Sequence, residues 1–247
     1  MDSSTLQPML KELRLAAFND HHEEFAKQAT DKAWGYESYL AKLCEQELAR
    51  RYQTRIAKWT NEAKLPHAKS FDNLDIKQLP SAIQKKVIAL RDKTQWALQA
   101  DNVLLIGPSG VGKSHIAAAL ARHLIEQGIR TKWLSATALV QHLQQAKQDL
   151  DLMIAMTRFD KYRVLVIDDM GYVKKSDAET QVLFEFIAHR YESGSLIVTS
   201  NQPFSQWDQI FPDALMTVAA IDRIIHHATI LEIDAESYRR KTQKKQL

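Results

Sequence analysis

One stretch of eight residues has the composition and spacing needed to hold phosphate groups. It fits the pattern G-x-x-x-x-G-K-[ST] without a mismatch and contains three of the seven glycines in the chain. Such a loop directs backbone N–H groups at phosphate oxygens, while its lysine neutralises the β- and γ-phosphates and its hydroxyl contacts magnesium. The stretch comprises Gly107, Pro108, Ser109, Gly110, Val111, Gly112, Lys113 and Ser114. It predicts a site for ATP with Mg²⁺ on the side of Ser114.

Two carboxylates follow a second apolar run, residues 164–167, at the point where a buried strand should end. Asp168 is our candidate for the magnesium-side ligand, because Mg²⁺ prefers hard oxygen ligands. Asp169 is then placed to orient or deprotonate the attacking water. A pair of aspartates after a strand can also be a simple turn. The apolar strand and a separation of about fifty residues from the glycine loop favour the site.

Two further residues are candidates for the same chemistry. Asn201 ends a third apolar run, where its amide can hydrogen-bond the γ-phosphate or the attacking water. Arg223 lies late in the chain on a predicted helix and can reach the γ-phosphate of a neighbouring subunit. Each has a simpler explanation, because Thr-Ser-Asn is a common turn after a strand and Arg223 can pair with Asp222 at the surface.

The elements that must position these residues alternate between strands and helices. Strands are predicted over 102–106, 131–134, 163–167, 195–199 and 228–233, with helices over 114–126, 136–150, 177–192 and 213–227. A further helix is predicted over 80–99. This alternation predicts an α/β fold with a parallel sheet flanked by helices on both faces. Ligands of such sheets collect outside the carboxyl ends of the strands, so the polar residues there should converge.

The first 66 residues lack this alternation and are predicted to form a small all-helical domain, followed by the nucleotide-binding domain at 67–247. Leu6 to Ala17 carry apolar residues at helical spacing, and a second helix is predicted over 20–30. A third helix, from about 36 to 64, carries an apolar stripe that we expect to be buried. The stripe comprises Tyr36, Leu40, Leu43, Cys44, Leu48, Tyr52 and Ile56.

Charge is distributed unevenly within this helical domain. Residues 1–49 carry five basic and nine acidic groups, a net charge of −4, whereas residues 50–75 carry six basic and three acidic groups, a net charge of +3. The basic part predicts contacts with a DNA phosphate backbone, although a solvated helix face explains it equally well. The candidate DNA-binding residues are Arg50, Arg51, Arg55, Lys58 and Lys64.

The composition indicates the cellular compartment in which we expect the protein. The single cysteine, Cys44, excludes an internal disulfide, suits a reducing compartment and is expected to be a buried thiol. The chain has no run of eighteen apolar residues and no leader-like N-terminus, so we expect a cytoplasmic protein without membrane insertion.

The order of these parts resembles that of the AAA+ ATPases, and more closely the branch that contains bacterial helicase loaders and IstB-type transposition helpers. The resemblance covers nearly the whole chain. It is carried by GPSGVGKSHIAAALA, VLVIDDMGY, RYESGSLIVTSNQPFSQW, AAIDRIIHHA and SYRRK, and the N-terminal segments LRLAAF and ELARR agree with it. Many ATPases share the glycine loop. Three of these segments are more specific: RYESGSLIVTSNQPFSQW, AAIDRIIHHA and SYRRK.

This resemblance implies a sheet in which the Thr199 strand lies between the glycine-loop strand and the Asp168 strand. It also implies that the chain lacks a full helical lid. It makes Asn201 the sensor residue, Arg223 an arginine finger acting on a neighbouring subunit, and Arg239 a second sensor arginine. The implied function is assembly with ATP on double-stranded target DNA, deformation of that DNA, and recruitment and stimulation of a transposase.

Asp169 departs from the pattern of the wider class, much of which has glutamate at this position. Its shorter side chain implies slow hydrolysis, which suits a timing switch better than a pump.

Two alternative functions also use a glycine loop of this kind. A DnaC-like replicative helicase loader would differ in the partner held by the N-terminal domain. A P-loop kinase for a small molecule would need an arginine-bearing lid, and no such segment occurs between Gly128 and Arg163.

Overall fold

The computed structural model describes residues 5–171, 176–209 and 214–234. The chain divides between Lys58 and Trp59 into two compact units, whereas the sequence placed a domain boundary after residue 66. Within the described ranges, no helix combines the length and the apolar character that crossing a membrane requires.

The first unit is helical. It contains α1 (Leu6–Glu12), α2 (Ala16–Asp31) and most of α3 (Tyr36–Ala63). The apolar spacing from Leu6 to Ala17 predicted one helix, but the backbone turns at Arg14, which has a φ of 55°. A residue in this left-handed region ends α1 and allows α2 to start in a new direction.

Glu47 on α3 joins two segments of this unit although it is buried. Its carboxylate accepts the N–H of Ala17 at 2.8 Å and the guanidinium of Arg51 at 2.7 Å. Burial raises the pKa of Glu47, but these two donors outweigh it and hold the pKa below its ordinary value. The side chain therefore remains ionised while it holds α2 against α3.

The predictions of a buried stripe on α3 and of a buried thiol were wrong. Tyr36, Leu40 and Leu48 are 95%, 54% and 69% exposed, and Cys44 is exposed as well, whereas Leu43 is buried. Buried positions Leu43 and Glu47 lie one helical turn apart and define the face that packs. Cys44 and Leu48 each follow a buried position by one residue, and one residue turns the helix by about 100°, so these exposed apolar residues lie on a neighbouring face.

The second unit contains the end of α3 and an α/β layer structure. Its elements are α4 (Ser81–Asp92), β1 (Asn102–Ile106), α5 (Lys113–Glu126), β2 (Thr131–Ser135), α6 (Ala136–Gln148), α7 (Leu152–Asp160), β3 (Val164–Asp168), α8 (Asp177–Arg190), β4 (Ser195–Ser200), α9 (Ala214–Ile225) and β5 (Ala228–Glu232). Short 3₁₀ helices occupy Ile76–Gln78, Thr94–Ala97 and Phe204–Gln209.

The five strands pair in parallel in the order β2-β3-β4-β1-β5. This sheet confirms the predicted α/β fold class, and β4 lies between β1 and β3 as the resemblance implied. β1 is buried at all five positions, which explains its continuous apolar sequence. Because the strands are parallel, the segments that follow β1, β3 and β4 leave the sheet at the same edge.

Helix α7 was not predicted from the sequence. This helix buries Ala155, Met156 and Phe159, and the ring of Phe159 packs edge-on against Phe186 with ring centres 5.5 Å apart. Leu150, with a φ of 60°, separates it from α6. The spacing of Leu152, Met156 and Phe159 is the helical signal that could have revealed it.

Candidate functional site

The glycine loop joins the carboxyl end of β1 to the start of α5. Gly110 and Gly112 have φ values of 87° and 97°, a region that residues with side chains rarely adopt. A Cβ on Gly107 would lie 2.2 Å from the carbonyl oxygen of Ile233, so this position excludes a side chain as well. The N–H of Gly107 donates to the carbonyl of Ser200 at 3.2 Å and ties the loop to β4. The backbone conformation therefore requires glycine at 110 and 112, and the close approach of Ile233 requires it at 107.

Lys113 is the first residue of α5 and is 6% exposed. Its Nζ donates to the carbonyl oxygens of Gly107 at 2.6 Å and Pro108 at 2.8 Å. A buried ammonium needs such partners, because its desolvation is costly without them. The loop therefore holds the cation at the helix N-terminus, which itself favours an anion.

The carboxylate of Asp168 lies between two hydroxyl groups. Ser114 Oγ donates to Asp168 Oδ1 at 2.8 Å, and Thr199 Oγ1 donates to the same oxygen at 2.6 Å. Thr199 Oγ1 also accepts the N–H of Asp169 at 2.9 Å. The buried hydroxyl of Thr199 thus holds Asp168 and Asp169 at the end of β3. Asp168 is also hydrogen-bonded to Ser114 in the first turn of α5.

Asn201 lies beside the segment that follows β3. Its Oδ1 is buried and has no hydrogen-bond partner among the residues that the structure describes. A Cβ on Gly171 would lie 2.9 Å from this oxygen, so a larger residue there would displace the side chain of Asn201. Asp169 is exposed in the same segment and has a φ of 60°. A buried acceptor without a partner is costly, and a water molecule would satisfy it.

The donor set fits magnesium held together with a triphosphate. The described residues contain no group of three or more His, Cys, Asp or Glu side chains that could hold a metal. Ser114 and Asp168 offer two oxygen ligands, and Mg²⁺ commonly takes the rest from phosphates and water. This pair suits an ion that arrives with the nucleotide better than an ion held by protein ligands alone.

Arg223 lies near the amino ends of the strands, whereas the glycine loop lies at their carboxyl ends. α9, which carries it, ends shortly before Ala228, and Ala228 pairs with Asn102 at the beginning of β1. The length of β1, about 13 Å at the ordinary rise of a strand, separates this end from the glycine loop. The structure therefore does not bring Arg223 to its own loop. The other predicted arginine, Arg239, lies outside the described residues.

Local contacts hold Arg223 in place. Its guanidinium donates to the carbonyl of Ala219 at 2.9 Å, lies 5.3 Å from the ring centre of Phe184, and lines a cavity of about 250 Å³. Asn102 supports the end of α9, because its amide donates to the carbonyl of Ile224 at 3.0 Å and accepts the N–H of Leu196 at 2.8 Å. Arg223 is thus presented by a helix end that is fixed to the sheet.

The candidate DNA-binding residues have unequal surroundings. Arg50 and Arg51 form ion pairs with carboxylates of the first unit, at 2.5 and 2.7 Å. Arg55 lies 5.3 Å from the centre of a tyrosine ring, and Lys58 and Lys64 are exposed. The two paired arginines already have anionic partners, which lowers the gain expected from a phosphate contact.

The parallel sheet, the glycine loop and the carboxylate at the end of β3 define a P-loop domain of the AAA+ class. Solved structures with this fold include DnaI, with a TM-score of 0.56 and 22% identity over 67% of this chain and 91% of that chain. The DnaC helicase loader has a TM-score of 0.51 and 19% identity, over 72% of this chain and 99% of that chain. At these identities the likeness shows the fold alone.

The family follows from the sequence comparisons. The model of the IstB-like ATP binding proteins matches residues 8–246, and the chain belongs to this family. An insertion sequence ATP-binding protein of Sinorhizobium fredii (strain NBRC 101917 / NGR234) is 43% identical over 242 residues, which cover 98% of this chain and 81% of the relative. ATP binding and an association with insertion sequences are therefore properties of the family. The similarity to this family extends over nearly the whole length of the chain.

Two residues of the site, Thr199 and Gly171, were not predicted from the sequence. Thr199 was treated as part of an apolar strand, although a hydroxyl in a fully buried strand needs a polar partner. Gly171 follows the paired aspartates by two positions, and a glycine there signals a close approach of backbone and side chain.

We expect Thr199→Val to weaken the binding of magnesium at the site, because it disturbs the placement of Asp168. The change keeps the shape of the side chain but removes the donor to Asp168 and the acceptor for the Asp169 N–H. Loss of a group that orients a metal ligand typically costs about 10- to 100-fold in metal affinity or activity. A Mg²⁺ titration of ATP hydrolysis should show a higher half-saturating concentration, with Thr199→Ser close to the wild type. Superimposable titrations of the valine variant and the wild type would contradict this role.

Proposed function

We propose that this protein is an ATP-hydrolysing regulator of transposition. It assembles with ATP on double-stranded target DNA, recruits and stimulates a transposase, and uses hydrolysis to control the lifetime of the assembly. The names of its relatives support this setting, because they are ATP-binding proteins of insertion sequences. We place the protein in the cytoplasm, where such DNA is found, and assign residues 1–66 to contacts with DNA or partner proteins.

The observation that carries the proposal is the position of Arg223. A triphosphate bound at Lys113 would not be contacted by Arg223 of the same chain, because Arg223 lies at the opposite ends of the strands. Phosphoryl transfer builds negative charge on the γ-phosphate oxygens, and an arginine that neutralises it accelerates the reaction strongly. A second copy that presents its Arg223 to the glycine loop would complete the site. Assembly and hydrolysis are then linked.

The other residues have separable roles in this chemistry. The loop N–H groups and Lys113 hold and neutralise the phosphates, while Ser114 and Asp168 provide protein ligands for magnesium. Bound magnesium would supply positive charge to the phosphate oxygens. Asp169 accepts a hydrogen bond from the attacking water and can take its proton, and the buried Oδ1 of Asn201 helps to position that water.

Measuring the size of the protein with its ligands tests the proposal. In analytical ultracentrifugation, ATP and duplex DNA together should give species that contain several copies, whereas the protein with either ligand alone should form fewer or smaller ones. A slowly hydrolysed ATP analogue should prolong the assembly. A protein that stays monomeric under all these conditions, or hydrolyses ATP at the same rate with and without DNA, would contradict the proposal.

A helicase loader is the second candidate, because the fold is also that of DnaI and the DnaC helicase loader. The two functions share the nucleotide site and differ in their partner. Co-purification with a replicative helicase and not with a transposase would decide for the loader. The glycine loop alone left a small-molecule kinase open, but membership of the IstB-like family does not support that activity.

A further inference from the structure

Three lysines from distant parts of the sequence meet at one side of the second unit. Lys64 follows the last turn of α3 with a φ of 56°, Lys132 lies in β2, and Lys161 directly follows α7. The N–H of Arg163 donates to the carbonyl of Arg130 at 2.8 Å, which brings the segment after α7 beside the start of β2. We call Lys64, Lys132 and Lys161 the lysine patch.

The carboxylate beside the lysine patch is already engaged. Glu62 pairs with Arg130 at 2.5 Å, and its backbone carbonyl accepts the Nζ of Lys132 at 2.7 Å. Within the described ranges, no ion pair neutralises any of the three lysines. Burial lowers the pKa of Lys132 and the charges of Lys64 and Lys161 lower it further, whereas the carboxylate of Glu62 raises it without offsetting the decrease. The lysine patch therefore carries more positive charge than its surroundings balance.

Aromatic rings near the lysine patch are covered by cations. The guanidinium of Arg130 lies 5.9 Å from the ring centre of Trp59 and 5.1 Å from that of Tyr162, and the Nζ of Lys161 lies 5.1 Å from Tyr162. Tyr162 is 7% exposed. Sites for single strands use open rings on which bases stack. Here the rings support the cations instead, which suits a ligand recognised by its backbone charge.

We propose that the lysine patch binds the phosphodiester backbone of double-stranded DNA. This proposal rests on the proposed function and extends it by placing a DNA contact on the ATP-binding unit. It shares Lys64 with the sequence-based expectation, which placed the contacts at Arg50, Arg51, Arg55, Lys58 and Lys64, and it adds Lys132 and Lys161. Binding through phosphates positions the protein without selecting a sequence.

The salt dependence of duplex binding tests the lysine patch in the full chain. Each phosphate contact contributes about −0.9 to the slope of log K against log salt concentration. The variant Lys64→Gln/Lys161→Gln leaves the contact between Lys132 and Glu62 in place and should make the slope less negative by about 2. The control Lys77→Gln/Lys85→Gln removes the same charge from exposed positions on another part of the unit and should retain the wild-type slope. Thermal unfolding of each variant checks the fold.

Each outcome of the titration has a separate meaning. A smaller slope in the patch variant alone, equal for unrelated duplexes, supports the lysine patch. Equal slopes for the patch variant, the control and the wild type overturn it while leaving the proposed function intact. Equal losses in both variants show a general charge effect and also overturn it. A change seen with single-stranded DNA but not with duplex overturns the assignment to duplex DNA. A wild-type chain that binds no DNA fails the proposed function itself.

Discussion

Replacing Lys113 by methionine is expected to remove nearly all ATP hydrolysis and to weaken ATP binding. The ammonium is buried at the start of α5 and is held by two carbonyls of the glycine loop. Methionine fills a similar volume but leaves these carbonyls without their donor and the triphosphate without its nearest cation. Loss of one preorganised electrostatic contact commonly costs about 10²- to 10³-fold in rate. Steady-state hydrolysis and binding of a fluorescent ATP analogue measure the two effects.

Lys93→Met is the matched control, because Lys93 is exposed and lies outside the glycine loop. It should hydrolyse ATP like the wild type. The Lys113→Met protein should unfold at a temperature near that of the wild type when ATP is absent, and should gain less stability when ATP is added. Wild-type hydrolysis by Lys113→Met would remove the glycine loop from the proposed chemistry.

The second large effect is expected from Arg223→Ala, which should bind ATP normally and hydrolyse it about 10³-fold or more slowly. Arg223 lies across the sheet from its own loop, so its removal should leave the nucleotide contacts of the same chain unchanged. Arg91→Ala, an arginine on α4 outside the site, serves as the control and should hydrolyse ATP normally. Binding by fluorescence and hydrolysis by phosphate release separate the two steps.

Mixing two inactive variants tests whether Arg223 acts between chains. Lys113→Met keeps its arginine, and Arg223→Ala keeps its loop. When the two are combined with ATP and DNA, the intact arginine of one chain can face the intact loop of the other, so that part of the activity should return. A mixture that stays as inactive as its components would show that the arginine does not act on a neighbour.

The parts of the fold that depend on local pattern were predictable. The α/β class followed from the apolar runs of β1, β3 and β4 and from their alternation with helices. The contact between Ser114 and Asp168 followed from the expectation that the carboxyl ends of these strands lie together. The hydroxyl bridge from Thr199 was not predictable. The resemblance implied that β4 lies beside β3, but the bridge also depends on the register of the two strands, which brings the hydroxyl of Thr199 to Asp168 and which periodicity within a strand does not define.

Surface properties were the least predictable. The spacing of apolar residues on α3 indicated a buried face, but burial depends on which side α2 covers, and α2 packs on the side of Leu43 and Glu47. Charge along the chain likewise identified Arg50 and Arg51 without showing that both form ion pairs. The lysine patch could not be read from the sequence, because Lys64, Lys132 and Lys161 meet only through the tertiary structure.

β5 connects the two ends of the subunit that the proposed assembly uses. It pairs with β1 along its whole length, from Ala228 opposite Asn102 to Glu232 opposite Ile106, and Ile233 then closes against Gly107. A fully hydrogen-bonded strand hardly stretches, so the offset between the arginine that a subunit offers and the loop that it presents is nearly constant. In the proposed assembly, every subunit would therefore present its arginine and its loop at the same separation, so that all contacts between neighbours could share one geometry.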